Sequence, residues 1–281
     1  MTTSAMKRRL AAAARLRRAA AGRPHRDVLD AWLVKAGQVA DAALGAAVTT
    51  DGETLTFHLD VDEEGPAWLA RALAAEGTEP PDLAALTSCV ETLRPGRTGW
   101  WIAARGEVLD RGWALGGDLP LDRALEIGGA TEPARQLAAW AERHGVTRAT
   151  RISRSLGRGN RYTELWLPLD GVVEASAGEA VLDGYRSLRV LPPPPWVLWA
   201  ADDRPAVLSV WLTAGGVSKV GLLVARPRTD EVIRASLTAG VPEAAQLRFA
   251  EVEGVLGTVE RAWMEVRRFA ERTDVQVRID L

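Results

Sequence analysis

The chain is 281 residues long, 47% hydrophobic and 26% charged, with a formal net charge of −2. That composition predicts a soluble, cytoplasmic globular protein with material for one large core or two small ones, and its near-neutral balance excludes a broad phosphate-matching basic surface. The single cysteine, Cys89, excludes a disulfide framework and argues against a cysteine-built zinc site, and no apolar run approaches the length of a membrane span.

Lys7, Lys35 and Lys219 are the only lysines among 35 basic residues, the bias of a GC-rich bacterial genome. That bias does not explain where the 11 Trp residues sit. Residues 1–26 carry Lys7, Arg8, Arg9, Arg15, Arg17, Arg18, Arg23 and Arg26 and no acid, so the rest of the chain, at −2 overall, holds −10. The segment is Ala-rich and helix-prone. It lacks the apolar region of a secretory signal and reads as a basic arm or helix start, with contact to an acidic partner or peptide leader as its functional reading. Residues 27–281 read as a single domain.

Residues 27–45 form an amphipathic pattern, with Leu29, Trp32, Leu33, Ala36 and Val39 at helical spacing. A hairpin follows around Asp51-Gly52. Its second arm places Leu55, Phe57, Leu59 and Val61 on one face and Thr54, Thr56, His58 and Asp60 on the other. Helices are predicted near 66–76 and 82–93, then a hairpin turning near Gly106. Helices near 121–127 and 132–144 lead to a hairpin turning at 157–160, and a helix over 177–189 follows. Pro192–Pro195 is a stiff extended connector into WVLWAADD, and the next hairpin turns at Gly215-Gly216. Helices are predicted over 230–239 and 242–272, the latter with Phe249, Val252, Val259, Trp263, Val266 and Phe269 on one side. VQVRIDL closes the chain as a strand.

About ten strands, mostly in hairpins separated by helices, favour antiparallel pairing, and closing such a sheet removes its edges. The expected fold is α+β: an antiparallel ten-stranded β-barrel built from repeated hairpin-helix units and surrounded by helices. Tandem ferredoxin-like modules and a five-bladed α/β propeller are the alternatives. Propeller enzymes that use a catalytic Cys fit poorly, because Cys89 falls in a helical segment.

Helices outside make the outward strand face apolar, so the polar face turns inward. That rule sends Thr56, His58, Asp60, Arg111, Trp113, Tyr162, Glu164, Trp166, Ser209, Trp211, Thr213, Lys219, Gln276, Arg278 and Asp280 into the lumen, with Arg151 and Ser153 preferred over Arg148 and Arg154. Two ingredients recur. Arg111, Arg151, Lys219 and Arg278 are cations from separate strands. Trp113, Tyr162, Trp166 and Trp211 are bulky aromatics beside them. Converging cations repel unless an anion lies between them. A diphosphate is a natural candidate, and such a clamp stabilises it as a leaving group. Aromatic faces hold a developing carbocation and exclude water.

The order of elements beyond residue 45 resembles the aromatic prenyltransferases of the ABBA type, whose repeats form a ten-stranded antiparallel barrel ringed by helices. ARQLAAWAERHGVTRATRISRSLGRGNRYTELWLPL carries the likeness most closely, and Arg111-Gly-Trp113 resembles that family's pairing of a basic residue with an aromatic two positions on. The family uses more Tyr and Lys where this chain has Trp and Arg. The resemblance implies transfer of an isoprenoid from its diphosphate to an aromatic acceptor, a small phenol or indole or a peptide side chain. It also implies a base near that acceptor: Asp60 first, Glu164 second, His58 as helper. No cofactor is required, although magnesium can arrive with the diphosphate. No metal motif is visible, and Asp62-Glu63-Glu64 and Asp202-Asp203 read as turn or helix-start acids. The rival reading is a non-catalytic barrel that binds an amphipathic ligand or a protein partner.

Overall fold

The computed structural model of the chain describes residues 4–20, 25–39, 42–62, 65–129, 131–157, 161–173, 175–255, 261–269 and 272–281. Helices α1 (Ser4–Ala20) and α2 (Arg26–Ala36) precede strands β1 (Ala43–Thr49) and β2 (Thr54–Val61). Then come α3 (Gly65–Ala75), α4 (Pro80–Leu93), β3 (Arg97–Arg105) and β4 (Val108–Pro120). The third unit is α5 (Leu121–Gly128), α6 (Glu132–His144), β5 (Arg148–Ser155) and β6 (Thr163–Pro168). The fourth is α7 (Ala177–Ser187), α8 (Pro195–Asp203), β7 (Ala206–Thr213) and β8 (Gly216–Ala225). The last is α9 (Thr229–Thr238), α10 (Glu243–Gly254), β9 (Arg261–Phe269) and β10 (Arg272–Asp280). Two helices and a hairpin thus recur five times.

Every strand pairs antiparallel with its neighbours in sequence, and β1 closes on β10 through Gly45↔Asp280 to Thr49↔Gln276. The expected closed ten-stranded barrel is the observed fold. The strand ends that hairpins join lie at one end of the barrel and those that lead to helices at the other; of the turn expected at 157–160, positions 158–160 lie outside the described residues. Among the described residues no helix is long and apolar enough to cross a membrane.

The apolar core is an annulus between sheet and helices. Leu55, Phe57 and Leu59 of β2 point outward, as do Trp100 of β3, Leu208 and Val210 of β7, and Val220, Leu222 and Val224 of β8. They meet Leu16 of α1, Trp32 of α2, Leu69 of α3 and Leu137 and Trp140 of α6. Each such side chain is worth about 1.5–3 kcal/mol when fully buried. Trp32 packs 4.8 Å from Trp100 and 6.3 Å from Phe57, ring centre to ring centre. Some polar tips at the helix-sheet boundary find backbone partners: Trp140 Nε1 donates to the Ala180 carbonyl at 2.8 Å, and the Tyr185 hydroxyl to that of Val220 at 3.2 Å, whereas the indole N–H groups of Trp32, Trp100 and Trp113 are buried without one.

The extended connector expected over Pro192–Pro195 ends one residue early, because Pro195 already opens α8, which carries WVLWAADD and in whose first turn the missing N–H does no harm. A second expectation also differs. The helix expected over 242–272 stops at Gly254, and Arg261–Phe269 is strand β9. Trp263, Val266 and Phe269 share a spacing of three by coincidence; in the strand Met264 and Val266 face the core while Trp263, Glu265 and Arg267 face inward.

Candidate active site

Strand pairing carries the inward face around the barrel. His58 lies opposite Trp101, Trp101 opposite Gly112, Arg151 opposite Trp166, and Glu164 opposite Trp211. Trp211 then pairs with Lys219, Gly221 with Arg267, and Glu265 with Gln276. Two adjoining cavities occupy the lumen. A cavity of about 690 Å³ opens at the helix-connection end, and a smaller one of about 80 Å³ lies deeper. They share His58, Arg151 and Arg278. The first falls within the ~300–1,000 Å³ of ordinary ligand sites, whereas the second holds little more than water.

Parity assigns most expected residues correctly. His58, Asp60, Arg151, Trp166 and Arg278 line the large cavity; Tyr162, Glu164, Trp211 and Lys219 line the inner one. Arg111 and Trp113 are corrections. Trp113 pairs with Trp100 and is fully buried in the outer core. Arg111 points the same way, donating through Nη1 to the Glu76 carbonyl at 2.8 Å beyond the end of α3. The inward residues of β4 are instead Gly112, Ala114 and Gly116, because the Trp101 indole needs that space. A Cβ on Gly112 would lie 2.5 Å from Trp101 Cζ2 and overlap the Arg154 carbonyl. Thr213 sits at the β7–β8 turn, where its hydroxyl donates to the Gly216 carbonyl at 3.0 Å.

Carboxylates of the chain itself separate the cations. Arg151 pairs with Asp60 at 3.2 Å, and Arg278 with Glu265 at 3.2 Å and Glu164 at 3.7 Å. Arg267 donates to Asp274 at 2.5 Å and to the side-chain Oε1 of Gln276 at 3.2 Å. No foreign anion is therefore demanded by charge balance alone, which corrects that step of the sequence argument. Lys219 differs: its ammonium lies 5.9 Å from the Trp211 ring centre and 5.1 Å from that of Phe269, with no carboxylate of the described residues in ion-pair reach. Two guanidiniums reach the Trp166 ring, Arg278 at 4.4 Å and Arg151 at 5.4 Å from its centre, and its indole N–H donates to Glu164 Oε1 at 2.6 Å. Trp101 Nε1 donates to Ser153 Oγ at 2.9 Å.

Protonation follows from burial and these partners. Burial pulls His58 down to about 4, with Asp60 opposing and Arg151 and Arg278 assisting, so the imidazole is neutral at pH 7. Its ring occupies the room left by the missing Cβ of Gly45, and Nδ1 is buried without a partner. Burial raises Asp60, but Arg151 outweighs it and holds the carboxyl below its usual range. Burial raises Glu164 despite Arg278, and raises the Tyr162 phenol well above its ordinary value. Lys219 is lowered by burial and by Arg267.

Trp101, Trp263, Glu265, Arg267 and Asp274 line the lumen and were not among the sequence candidates. TGWWIAAR shows no alternation around its paired Trp residues, so its inward member is unreadable locally. The other four lie on β9 or depend on its pairing with β10.

No family model matches the chain. Among curated proteins, a PH domain-containing protein of Dictyostelium discoideum is 28% identical over 182 residues, 62% of this chain and 39% of that protein. The chain thus matches well under half the length of that relative. Solved structures align over nearly the whole length of both chains. The 6-dimethylallyltryptophan synthase of Micromonospora olivasterospora in complex with DMASPP and Trp superposes with a TM-score of 0.68 at 16% identity, over 99% of this chain and 97% of that one. PriB in a binary complex with product diphosphate gives 0.65 at 16%, over 98% and 95%. The 5-dimethylallyltryptophan synthase of Streptomyces coelicolor gives 0.63 at 14%, over 100% and 98%. The chain therefore has the fold of the ABBA-type aromatic prenyltransferases.

Proposed function

We propose that the chain transfers an isoprenoid from its diphosphate to an aromatic acceptor, a small phenol or indole or a peptide side chain. One observation carries this reading: at the junction of the two cavities, Arg151 and Arg278 converge on the face of Trp166 beside the ionised Asp60. The neighbours that hold DMASPP and Trp, or diphosphate, in the same fold support it.

The diphosphate oxygens would meet Arg151 and Arg278, with Lys219 and Arg267 behind them. As the allylic carbon–oxygen bond breaks, its electron pair leaves with the diphosphate, and these cations stabilise the growing charge. The Trp166 face, with Tyr162, Trp211 and Trp101 deeper in, shields the allyl cation from water. A ring carbon of the acceptor then forms the new carbon–carbon bond, and the ring proton passes to Asp60, restoring aromaticity. Glu164 holds the Trp166 N–H and is the second candidate for the proton, while neutral His58 can relay it. Among the described residues no group of three or more His, Cys, Asp or Glu could hold a metal ion; magnesium, where used, would accompany the diphosphate.

The internal ion pairs also suit the rival reading, a non-catalytic barrel that binds an amphipathic ligand. Thermal shift with dimethylallyl and geranyl diphosphates against inorganic pyrophosphate, followed by mass spectrometry with indole and phenol acceptors, separates the two. Stabilisation by the diphosphates and an isoprenyl mass gain on an acceptor are expected. A shift with no product under any acceptor favours the binding barrel, and no shift with any diphosphate overturns the enzyme reading.

A further inference from the structure

One side of α1 packs against the rest of the fold. Its Met6, Ala13 and Leu16 are buried, Arg17 pairs with Asp30 of α2 at 2.6 Å, and Arg9 Nη1 donates to the Ala42 carbonyl at 3.0 Å. The helix packs on α2, α10, β1 and β2. Its opposite face is exposed and carries Lys7, Arg8, Arg15 and Arg18. At about 100° per residue these four fall within an arc of about 100°, and they span roughly 16 Å along the axis. No carboxylate of the described residues is in ion-pair reach of any of them, and α1 itself contains no acid.

We propose that this stripe docks an acidic polypeptide segment, which presents an aromatic side chain of the same polypeptide to the barrel mouth. The presentation half rests on the transferase reading above; the docking half does not. Three observations select a polypeptide over other polyanions. The stripe is narrow, and the two helices that α1 packs against expose acids of their own: Asp27 at the start of α2, and Glu243 and Glu251 on α10. A membrane surface or a nucleic-acid duplex would press its phosphates against those acids, whereas a single extended strand would not. The outward face also offers only small residues among its cations, Ser4 and Ala11, with Ala19 at its edge, and so nothing to insert into lipid. Finally, α1 borders the mouth: on its inner side Arg9 lines a cavity of about 310 Å³ that shares His58, Asp60 and Asp280 with the large one. Crossing a helix about 10 Å wide takes at least three extended residues. The acceptor should therefore lie a short spacer away from the acidic run.

The test uses a fluorescein-labelled peptide with an acidic run of eight Glu/Asp, a six-residue Gly/Ser spacer and one Trp, followed by fluorescence anisotropy on the full chain at low salt. A peptide with Gln and Asn in place of the acids, a DNA duplex and phosphatidylserine vesicles are the comparisons. The variant is Lys7→Glu/Arg8→Glu/Arg15→Glu/Arg18→Glu, with its fold checked by circular dichroism; the all-Gln version replaces it if the charge reversal fails to fold. The acidic peptide should bind more tightly than every comparison. Its affinity should fall at least about ten-fold in the variant, the scale of four exposed ion pairs, and weaken steeply with added salt. Equal affinity of wild type and variant, or tighter binding of DNA or vesicles, overturns the docking site. Prenylation of a free indole that is unaffected by the variant, together with unchanged peptide binding, would leave the transferase reading standing and remove this one. Stripe-dependent binding with no prenylation of peptide or free indole would keep the docking and remove the transferase reading.

Discussion

Asp60→Asn separates two roles that the structure places on one carboxylate. Asp60 holds Arg151 through both oxygens, at 3.2 and 3.3 Å from Nη1. The two side chains are 23% and 14% exposed, so the pair is neither free in water nor sealed off. Breaking a fully buried pair costs about 3–5 kcal/mol and an exposed one about 0–1. An intermediate loss of roughly 1–3 kcal/mol follows, which for a chain of this length lowers Tm by about 2–5 °C. In the other direction, asparagine no longer competes with an incoming anion for the Arg151 guanidinium. Inorganic pyrophosphate should then bind about 3- to 10-fold more tightly, less than the full value of one charge-assisted hydrogen bond. Prenyl transfer should fall by about 10²–10⁴ for loss of the base. Isothermal titration with pyrophosphate, differential scanning fluorimetry and single-turnover product analysis read the three effects. Unchanged or weaker pyrophosphate binding would refute the assignment of Arg151 to the diphosphate, and undiminished turnover would refute Asp60 as the proton acceptor.

Arg278→Met should abolish the thermal shift by pyrophosphate and destabilise the barrel by about 3–5 kcal/mol, because it strands the buried Glu265 and Glu164. Arg111→Met should leave pyrophosphate affinity unchanged by titration calorimetry and cost under about 1 kcal/mol in urea unfolding, since that side chain faces the end of α3. Gly112→Ala should destabilise by about 1–3 kcal/mol or more in the same assay, because its Cβ meets both the Arg154 carbonyl and the Trp101 ring. Lowering pH should weaken the fold between about 6.5 and 4: His58 protonates at 6.5 when unfolded but only at about 4 in the barrel, so the unfolded state binds the extra proton. The loss, roughly 1–3 kcal/mol, should disappear in a folded His58→Gln variant, and Tm measured across that range checks it.

Much of the architecture is legible in local patterns. The alternation of Leu55, Phe57, Leu59 and Val61 with Thr56, His58 and Asp60 assigns the two faces of β2, and a period of two is a property of a single strand. The same rule places Arg151, Tyr162, Glu164, Trp166, Trp211, Lys219 and Arg278 inside the barrel. It fails on β4, where Arg111, Trp113 and Leu115 share one face and Gly112, Ala114 and Gly116 the other. Neither face is polar throughout, so the choice depends on a neighbour: Trp101 of β3 needs the glycine opposite it. It fails again at β9, where Met264 and Val266 do alternate with Glu265 and Arg267 but an inward Trp263 and an outward Arg268 break the pattern on either side. The partners of the lumen cations are equally remote. Asp60 and Arg151 are 91 positions apart, and Ser209 and Glu265, which bond at 2.7 Å, are 56 apart. Periodicity acts between residues two or four positions apart and can be read along the chain, whereas a guanidinium finds its carboxylate only after the sheet has closed and brought distant strands side by side.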